Sequence, residues 1–359
     1  MIASLPHIAR MQPYALARMK PPEGKALVSL SQNESLRAPS PMAVEAAARA
    51  MHDAALYPDP DWIELREALS DLHAICADNI LCGSGSLDLI GCLARVFAAP
   101  DRAVLAPAHA YPFFRTAAQM VGARFDTAPE DETTFSVDAL LNALQPDTAL
   151  AFVANPGNPT GTRVPQSELR RLRKTLPESV LLIIDEAYAE FADSEGEALF
   201  DMVEQGGTVI LRTFSKAYGL AGCRVGWGVF PPEVAGELRK VINPNNVTAP
   251  AQAAALAALG DQGYMHETCT LTSELREVMA ARLRQAGFCV RPSFTNFLLI
   301  ELKDAEAAMR AEAALQDEGI FLRPQGGAGL PHALRMTIGP VGATNDAVSL
   351  LECWKLEGE

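Results

Sequence analysis

The chain has 359 residues, 49% of them hydrophobic and 21% charged, with a formal net charge of −14. That length can bury a large core and divides into two domains, while the acidic balance leaves no domain-wide basic surface for nucleic acid. No apolar run reaches the length of a membrane span and the first ten residues (Met1-Ile-Ala-Ser-Leu-Pro-His-Ile-Ala-Arg10) lack a secretory signal pattern, so a cytoplasmic protein is expected.

Residues 1–35 read as an N-terminal arm, 36–245 as a large α/β domain and 246–359 as a small α+β domain. Ala43–Ala50 has the composition of an amphipathic helix. Asn79-Ile-Leu-Cys-Gly-Ser-Gly-Ser-Leu-Asp-Leu-Ile90 reads as a strand over 79–82, a glycine-rich turn and an apolar helix. The backbone N–H groups of Gly85, Ser86 and Leu87 then lie at a helix N-terminus, a ready anion site, although a lone Gly-Ser-Gly is common in loops. Strands follow at 103–106 and 149–154. Asn155-Pro-Gly-Asn-Pro-Thr-Gly161 predicts a rigid connection from the second of these to a helix near Ser167–Thr175. Val180-Leu-Leu-Ile-Ile-Asp185 is an almost unbroken apolar run, the pattern of a strand covered on both faces in a parallel sheet. Strands are expected at 208–213 and 223–230, with Lys216 in the turn between them. Asn243-Pro-Asn-Asn-Val-Thr-Ala-Pro250 reads as a hinge before a long helix from Ala251. Beyond it come a helix around Thr272–Ala286, strands at Cys289–Arg291 and Phe297–Glu301, a helix around Glu306–Asp317 and a strand at Leu334–Ile338. The seven cysteines (76, 82, 92, 223, 269, 289 and 353) make no Cys-x-x-Cys pair, which fits reduced thiols and neither a disulfide framework nor a zinc site.

Open α/β sheets bind ligands outside the carboxyl ends of their strands, and Asn158, Asp185 and Lys216 all fall at or just after such ends. Carboxylates are rarely buried unpaired, so Asp185 should meet a cation or a strong donor; a strand-end capping aspartate is the plain alternative. The run from Arg212 to Gly226 surrounds Lys216 with the hydroxyls of Thr213 and Ser215 and the guanidinium of Arg224, whose planar fork suits phosphate. Desolvation and a neighbouring cation lower an ammonium pKa and free the amine for Schiff-base chemistry. Lys216 reads as a lysine placed to hold a phosphorylated aldehyde.

In this order, Asn155-Pro-Gly-Asn-Pro-Thr-Gly161, Asp185-Glu-Ala-Tyr188 and Ser215-Lys-Ala-Tyr-Gly-Leu-Ala-Gly-Cys-Arg-Val-Gly226 resemble the class I/II aminotransferases, fold-type I enzymes that use pyridoxal 5′-phosphate. Within that superfamily the chain is most similar to the histidinol-phosphate aminotransferase branch, from about Pro13 to about Gly339. The resemblance implies a three-layer large domain with a mostly parallel sheet and a smaller α+β C-terminal domain. It makes Lys216 the lysine that bonds the cofactor and afterwards carries a proton between the substrate α-carbon and the cofactor carbon. Asp185 would pair with the pyridine nitrogen, Asn158 and Tyr188 with the phenolic oxygen, and Tyr111 would stack on the ring, with core packing its alternative. Gly85, Ser86, Leu87, Thr213, Ser215 and Arg224 would surround the phosphate. Tyr57 in Leu-Tyr-Pro-Asp-Pro resembles a tyrosine that reaches the phosphate of the neighbouring subunit, which implies a homodimer.

Arg335 in Leu-Arg-Met-Thr-Ile-Gly339 stands where the family keeps an arginine for the substrate anion, and Arg323, Tyr14 and Asn33 resemble the branch's other substrate contacts. The branch's Asn-Glu-Asn-Pro run is here Asn33-Glu-Ser-Leu36, at a lip of the pocket where relatives with different substrates differ. The expected reaction is amino transfer to 2-oxoglutarate by a ping-pong route. Histidinol phosphate is the leading donor and aromatic or other amino acids the alternative. A threonine-phosphate decarboxylase-like lyase shares these motifs, while a regulator without turnover would need a DNA-binding module for which the chain has no room.

Overall fold

The computed structural model describes residues 2–13, 19–192, 199–356 and 358; Tyr14 lies outside them. Seven short strands form one sheet: β1 (Ile80–Gly83), β2 (Ala103–Pro107), β3 (Phe125–Ala128), β4 (Thr148–Ala154), β5 (Leu181–Asp185), β6 (Thr208–Thr213) and β7 (Gly226–Val229). Their spatial order is β1-β7-β6-β5-β4-β2-β3. β7 runs antiparallel to both its neighbours and the other pairs are parallel. Every residue of β4, β5 and β6 is buried. Helices must therefore cover both faces, which explains why these strands lack the alternation of a half-solvated sheet. This is the fold-type I architecture expected from the sequence. Register sets Ala154 beside Asp185 and Asp185 beside Leu211, so the connections after β4, β5 and β6 emerge along one edge.

The sheet differs from expectation at two places. β7 starts at Gly226, because Arg224 adopts the left-handed region (φ 53°) and ends any extended run through 223–225. β3 escaped the sequence reading because Phe125-Asp-Thr-Ala128 lies at the sheet edge with only Ala128 buried, so its pattern is weak.

A second core gathers around an antiparallel sheet of β8 (Cys289–Val290), β9 (Phe297–Glu301), β10 (Arg323–Gln325) and β11 (Leu330–Thr337), in the order β8-β9-β11-β10. Helices Ala305–Asp317 and Val341–Leu356 pack against it; the second was not expected. The long helix from Ala251 is two helices, Ala249–Leu259 and Gln262–Gln285, separated where the Asp261 side chain caps the N–H of Tyr264. Ala251, Ala254, Ala255 and Ala258 belong to the first core, against helix Pro41–Ala50, so the boundary between the cores does not fall at residue 245. The arm also ends earlier than expected. Val28–Ser29 pairs in parallel with Ile320–Phe321 and Leu30 is buried in the second core, so residues 28–33 travel with the C-terminal sheet. Among the described residues no helix is long and apolar enough to cross a membrane.

Candidate active site

A cavity of about 510 Å³ opens where the carboxyl ends of β4, β5 and β6 face the second sheet. Lys216 lines it, and its Nζ donates to the carbonyls of Gln32 (3.1 Å) and Asn33 (2.9 Å). Burial pulls the ammonium down to about 7, helped by the guanidiniums of Arg335 and Arg224 and opposed by Glu34 and Asp185. A large share of the amine is therefore neutral near neutral pH. A roomier groove of about 850 Å³, between helices Pro41–Ala50, Ile63–His73 and Ala249–Leu259, contains no lysine, so size does not identify the site.

One side of the cavity is built for an anion. Ser86 and Leu87 begin the helix Ser86–Phe97, where the first N–H groups have no intrahelical acceptor. Thr213 and Ser215 line the same region. Arg224 bonds only neutral groups: Nη1 donates to Ser215 Oγ (3.3 Å) and Ala221 O (3.0 Å), and Nη2 to Ser84 O (3.5 Å). Among the described residues no carboxylate neutralises it. Glycine is required at two points of this cradle. A Cβ on Gly85 (φ 82°) would stand 2.3 Å from Arg224 Nη2, and one on Gly226 would stand 2.2 Å from the Ser86 nitrogen.

Asp185 ends β5 with 6% of its surface exposed. Burial pushes its carboxyl up to about 6, with Glu186 adding and the Ala187 N–H and Lys216 opposing. The Ala187 N–H donates to Oδ1 (3.1 Å), and among the described residues no side-chain cation pairs with this carboxylate. A buried, nearly unpartnered carboxylate at a cavity wall calls for a cation or strong donor from a ligand.

Asn158 and Tyr188 complete the floor. Tyr188 Oη accepts from Asn33 Nδ2 (2.8 Å) and Asn158 Nδ2 (3.5 Å), so its own O–H serves as a donor. Asn158 Oδ1 accepts from Arg335 Nη1 (2.5 Å), while Arg335 Nη2 donates to Ser31 O (2.9 Å). Arg323 and Arg335 are direct cross-strand partners in β10 and β11, and both line the cavity. Like charges placed directly opposite repel, so an anion between them is favoured. Tyr111, the residue before helix Pro112–Met120, lines the cavity with its ring edge-to-face with Phe114 at 5.7 Å.

Tyr57 is not in this cavity; it is 88% exposed on a surface loop. The sequence reading also missed contributors. The Gln32 and Asn33 carbonyls that hold Lys216 are backbone atoms and leave no residue-type signal. Asn296, fully buried, donates through Nδ2 to Asn33 O (3.1 Å) and Glu34 O (3.0 Å), fixing that segment. A lone asparagine heading the apolar run Phe297–Ile300 was a detectable sign, since buried amides must be satisfied. Behind the site, the neighbours of Asp185 and Thr213 form a buried ion pair, with Arg212 Nη2 2.8 Å from Glu186 Oε2.

Residues 25–352 match the family model described as aminotransferase class I and II. The chain belongs to that family. It is 38% identical over 347 residues to a histidinol-phosphate aminotransferase of Hyphomonas neptunium, covering 94% of this chain and 93% of the relative. A histidinol-phosphate aminotransferase of Paramagnetospirillum magneticum is 40% identical over 350 residues, 96% of each chain. The crystal structure of histidinol-phosphate aminotransferase from Sinorhizobium meliloti in complex with pyridoxal-5′-phosphate superposes with a TM-score of 0.88 at 30% identity, covering 93% of this chain and 92% of that one. This aminotransferase uses pyridoxal 5′-phosphate, and its cavity fits that group. It offers an amine for the aldehyde, a carboxylate lacking a cation for the ring nitrogen, and a glycine-lined anion cradle for the phosphate.

Proposed function

We propose that this aminotransferase takes the amino group of histidinol phosphate and passes it to 2-oxoglutarate by a ping-pong route. The observation that carries the substrate assignment is the cross-strand pair Arg323 and Arg335, a second anion site separate from the Arg224 cradle. The cofactor supplies an electron sink for charge developing at the substrate α-carbon. This chain's residues do the rest. Ser86 and Leu87 N–H groups, Thr213, Ser215 and Arg224 bind the cofactor phosphate across the turn at Gly85. Asp185 holds the proton on the ring nitrogen, Asn158 and Tyr188 bind the phenolic oxygen, and Tyr111 covers the ring. Lys216 Nζ would take the α-proton. Arg335 and Arg323, with Asn33 and Tyr14, orient the donor. Two anions of one substrate turnover, the donor's phosphate ester and the acceptor's carboxylates, can share the arginine pair in alternate half-reactions.

Assaying a panel of donors with 2-oxoglutarate tests the assignment. Histidinol phosphate should exceed every aromatic amino acid in kcat/KM by at least about tenfold, since a phosphate dianion can engage both guanidiniums where a single carboxylate fills one. An aromatic amino acid turned over equally well would transfer the assignment to that class.

The same reading makes the enzyme a homodimer in which Tyr57 reaches the partner's cofactor phosphate. Its support is exposure: Tyr57, Leu56 (71%) and Met51 (58%) are exposed apolar side chains of one short segment. Tyr57→Phe should weaken cofactor binding about tenfold, the cost of one hydrogen bond to a charged group. Unchanged affinity, or fully active protein sedimenting as a monomer, would rule the shared site out.

A further inference from the structure

The anion cradle has a support that touches neither cofactor nor substrate. Asn246 lies in the Asn243–Pro250 segment and outside the cavity lining. Its Nδ2 donates to the Cys82 carbonyl (3.1 Å) and to Asp88 Oδ2 (3.2 Å). Its Oδ1 accepts from Trp62 Nε1 (3.2 Å), and its backbone carbonyl accepts the Ser84 hydroxyl. Asp88 Oδ2 also accepts the Ser84 N–H (3.1 Å). The whole Cys82-Gly-Ser-Gly85 turn is thus gripped from behind by one asparagine and the aspartate it contacts. The segment read from sequence as a hinge is a brace.

Two physical points give the brace a purpose. Asp88 sits in the first turn of the helix whose N-terminus would meet a dianion, so its charge opposes the ligand unless donors hold it back. The Asn246 amide and the Ser84 N–H are two such donors on Oδ2, while Arg95 Nη2 lies 4.0 Å from Oδ1. Trp62 has φ 50°, a costly conformation for a bulky residue, and its indole bond to Asn246 is one of the contacts that compensate. Gln252, in the first turn of helix Ala249–Leu259, donates to Asp59 O and Val247 O (2.9 Å each), tying the same segment to the loop after Tyr57.

We propose that Asn246 is the positioning residue of the phosphate turn: it fixes Ser84 and Asp88 so that the Ser86 and Leu87 N–H groups stay aimed at the cofactor phosphate. This rests on the assignment of the phosphate to that turn. The test compares equilibrium binding of pyridoxal 5′-phosphate and of pyridoxal, which lacks the phosphate, to the cofactor-free protein, read by absorbance. Wild-type protein should prefer the phosphorylated form. In Asn246→Ala that preference should fall at least about tenfold, through loss of phosphate contacts, with pyridoxal affinity held within about twofold. An unchanged preference overturns the proposal, whether both affinities drop together, as general loosening would produce, or neither drops. Ser84→Ala, which removes the hydroxyl bond to the Asn246 carbonyl, is read by the same ratio and decides the matter if Asn246→Ala does not fold. A wild-type protein without any preference would instead remove the phosphate from this turn, and the proposal with it.

Discussion

Lys216→Ala should lower the transamination rate by about 10⁴-fold or more, because one substitution deletes both the nucleophilic amine and the group that moves the α-proton; positioned acid–base catalysis alone contributes about 10²–10⁴. The loss should appear in kcat with the fold intact. Lys216 donates to two backbone carbonyls and lines the cavity, and no packed core collapses when it is shortened. The same residue predicts a pH signature. Its ammonium is drawn down to about 7 by burial, so the neutral, reactive form grows as pH rises through that value. In cofactor-free protein, acylation of Lys216 followed by peptide mass spectrometry should show a midpoint near pH 7. A midpoint near the ordinary lysine value, or a Lys216→Ala enzyme working at the wild-type rate, would contradict the assigned role.

Asp185→Asn should cost about 10³-fold in activity, as expected for losing a buried charge that stabilises its partner cation in the reacting state. It should also make the cofactor-free protein more stable at neutral pH. The folded-state value of this carboxyl is raised from 3.8 to about 6. The stability associated with the protonated form is fully present below 3.8 and is lost as pH rises through about 6. At pH 7 to 8 the ionised carboxylate therefore costs up to about 3 kcal/mol, which asparagine avoids. Thermal unfolding of the cofactor-free variant should shift upward by a few degrees at pH 7.5, and the gain should vanish near pH 3.5. With cofactor bound the order should reverse, since the cation that Asp185 serves is then present. A cofactor-free Asp185→Asn protein less stable than wild type at pH 7.5 would show that another group already neutralises this carboxylate.

The most legible parts of the chain are those where burial dictates residue type. Val180–Ile184 could be read as a central strand because coverage on both faces forbids alternation, and Asp185 stood out because a charge at the end of such a run needs a partner. The strand, glycine-rich turn and helix around Gly83–Gly85 were legible from the order of an apolar run, glycines and a second apolar run. Contacts made by backbone atoms or across long sequence separations were not legible. Nothing in Gln32 announces that its carbonyl holds an ammonium 184 residues away. Val28–Ser29 pairs with Ile320–Phe321 in a separate two-stranded sheet, through two residues with no strand pattern of their own. Helix Val341–Leu356 buries Thr344, Ala347, Val348 and Leu351 at helical spacing, but its small and polar residues dilute that stripe.

β1 borders β7 alone: Ile80 pairs with Val229 and Gly83 with Gly226. A growing chain therefore completes β1 long before its only neighbour in the sheet exists. Strand pairings across such separations are slow to form, because a large loop must close before any hydrogen bond rewards it. β4, β5 and β6 follow one another in sequence and in space, so Asn158 and Asp185 can be set in place while β1 still waits. The seat for the phosphate needs Gly226 packed against Ser86, so it cannot close before residues 226–229 have paired with β1.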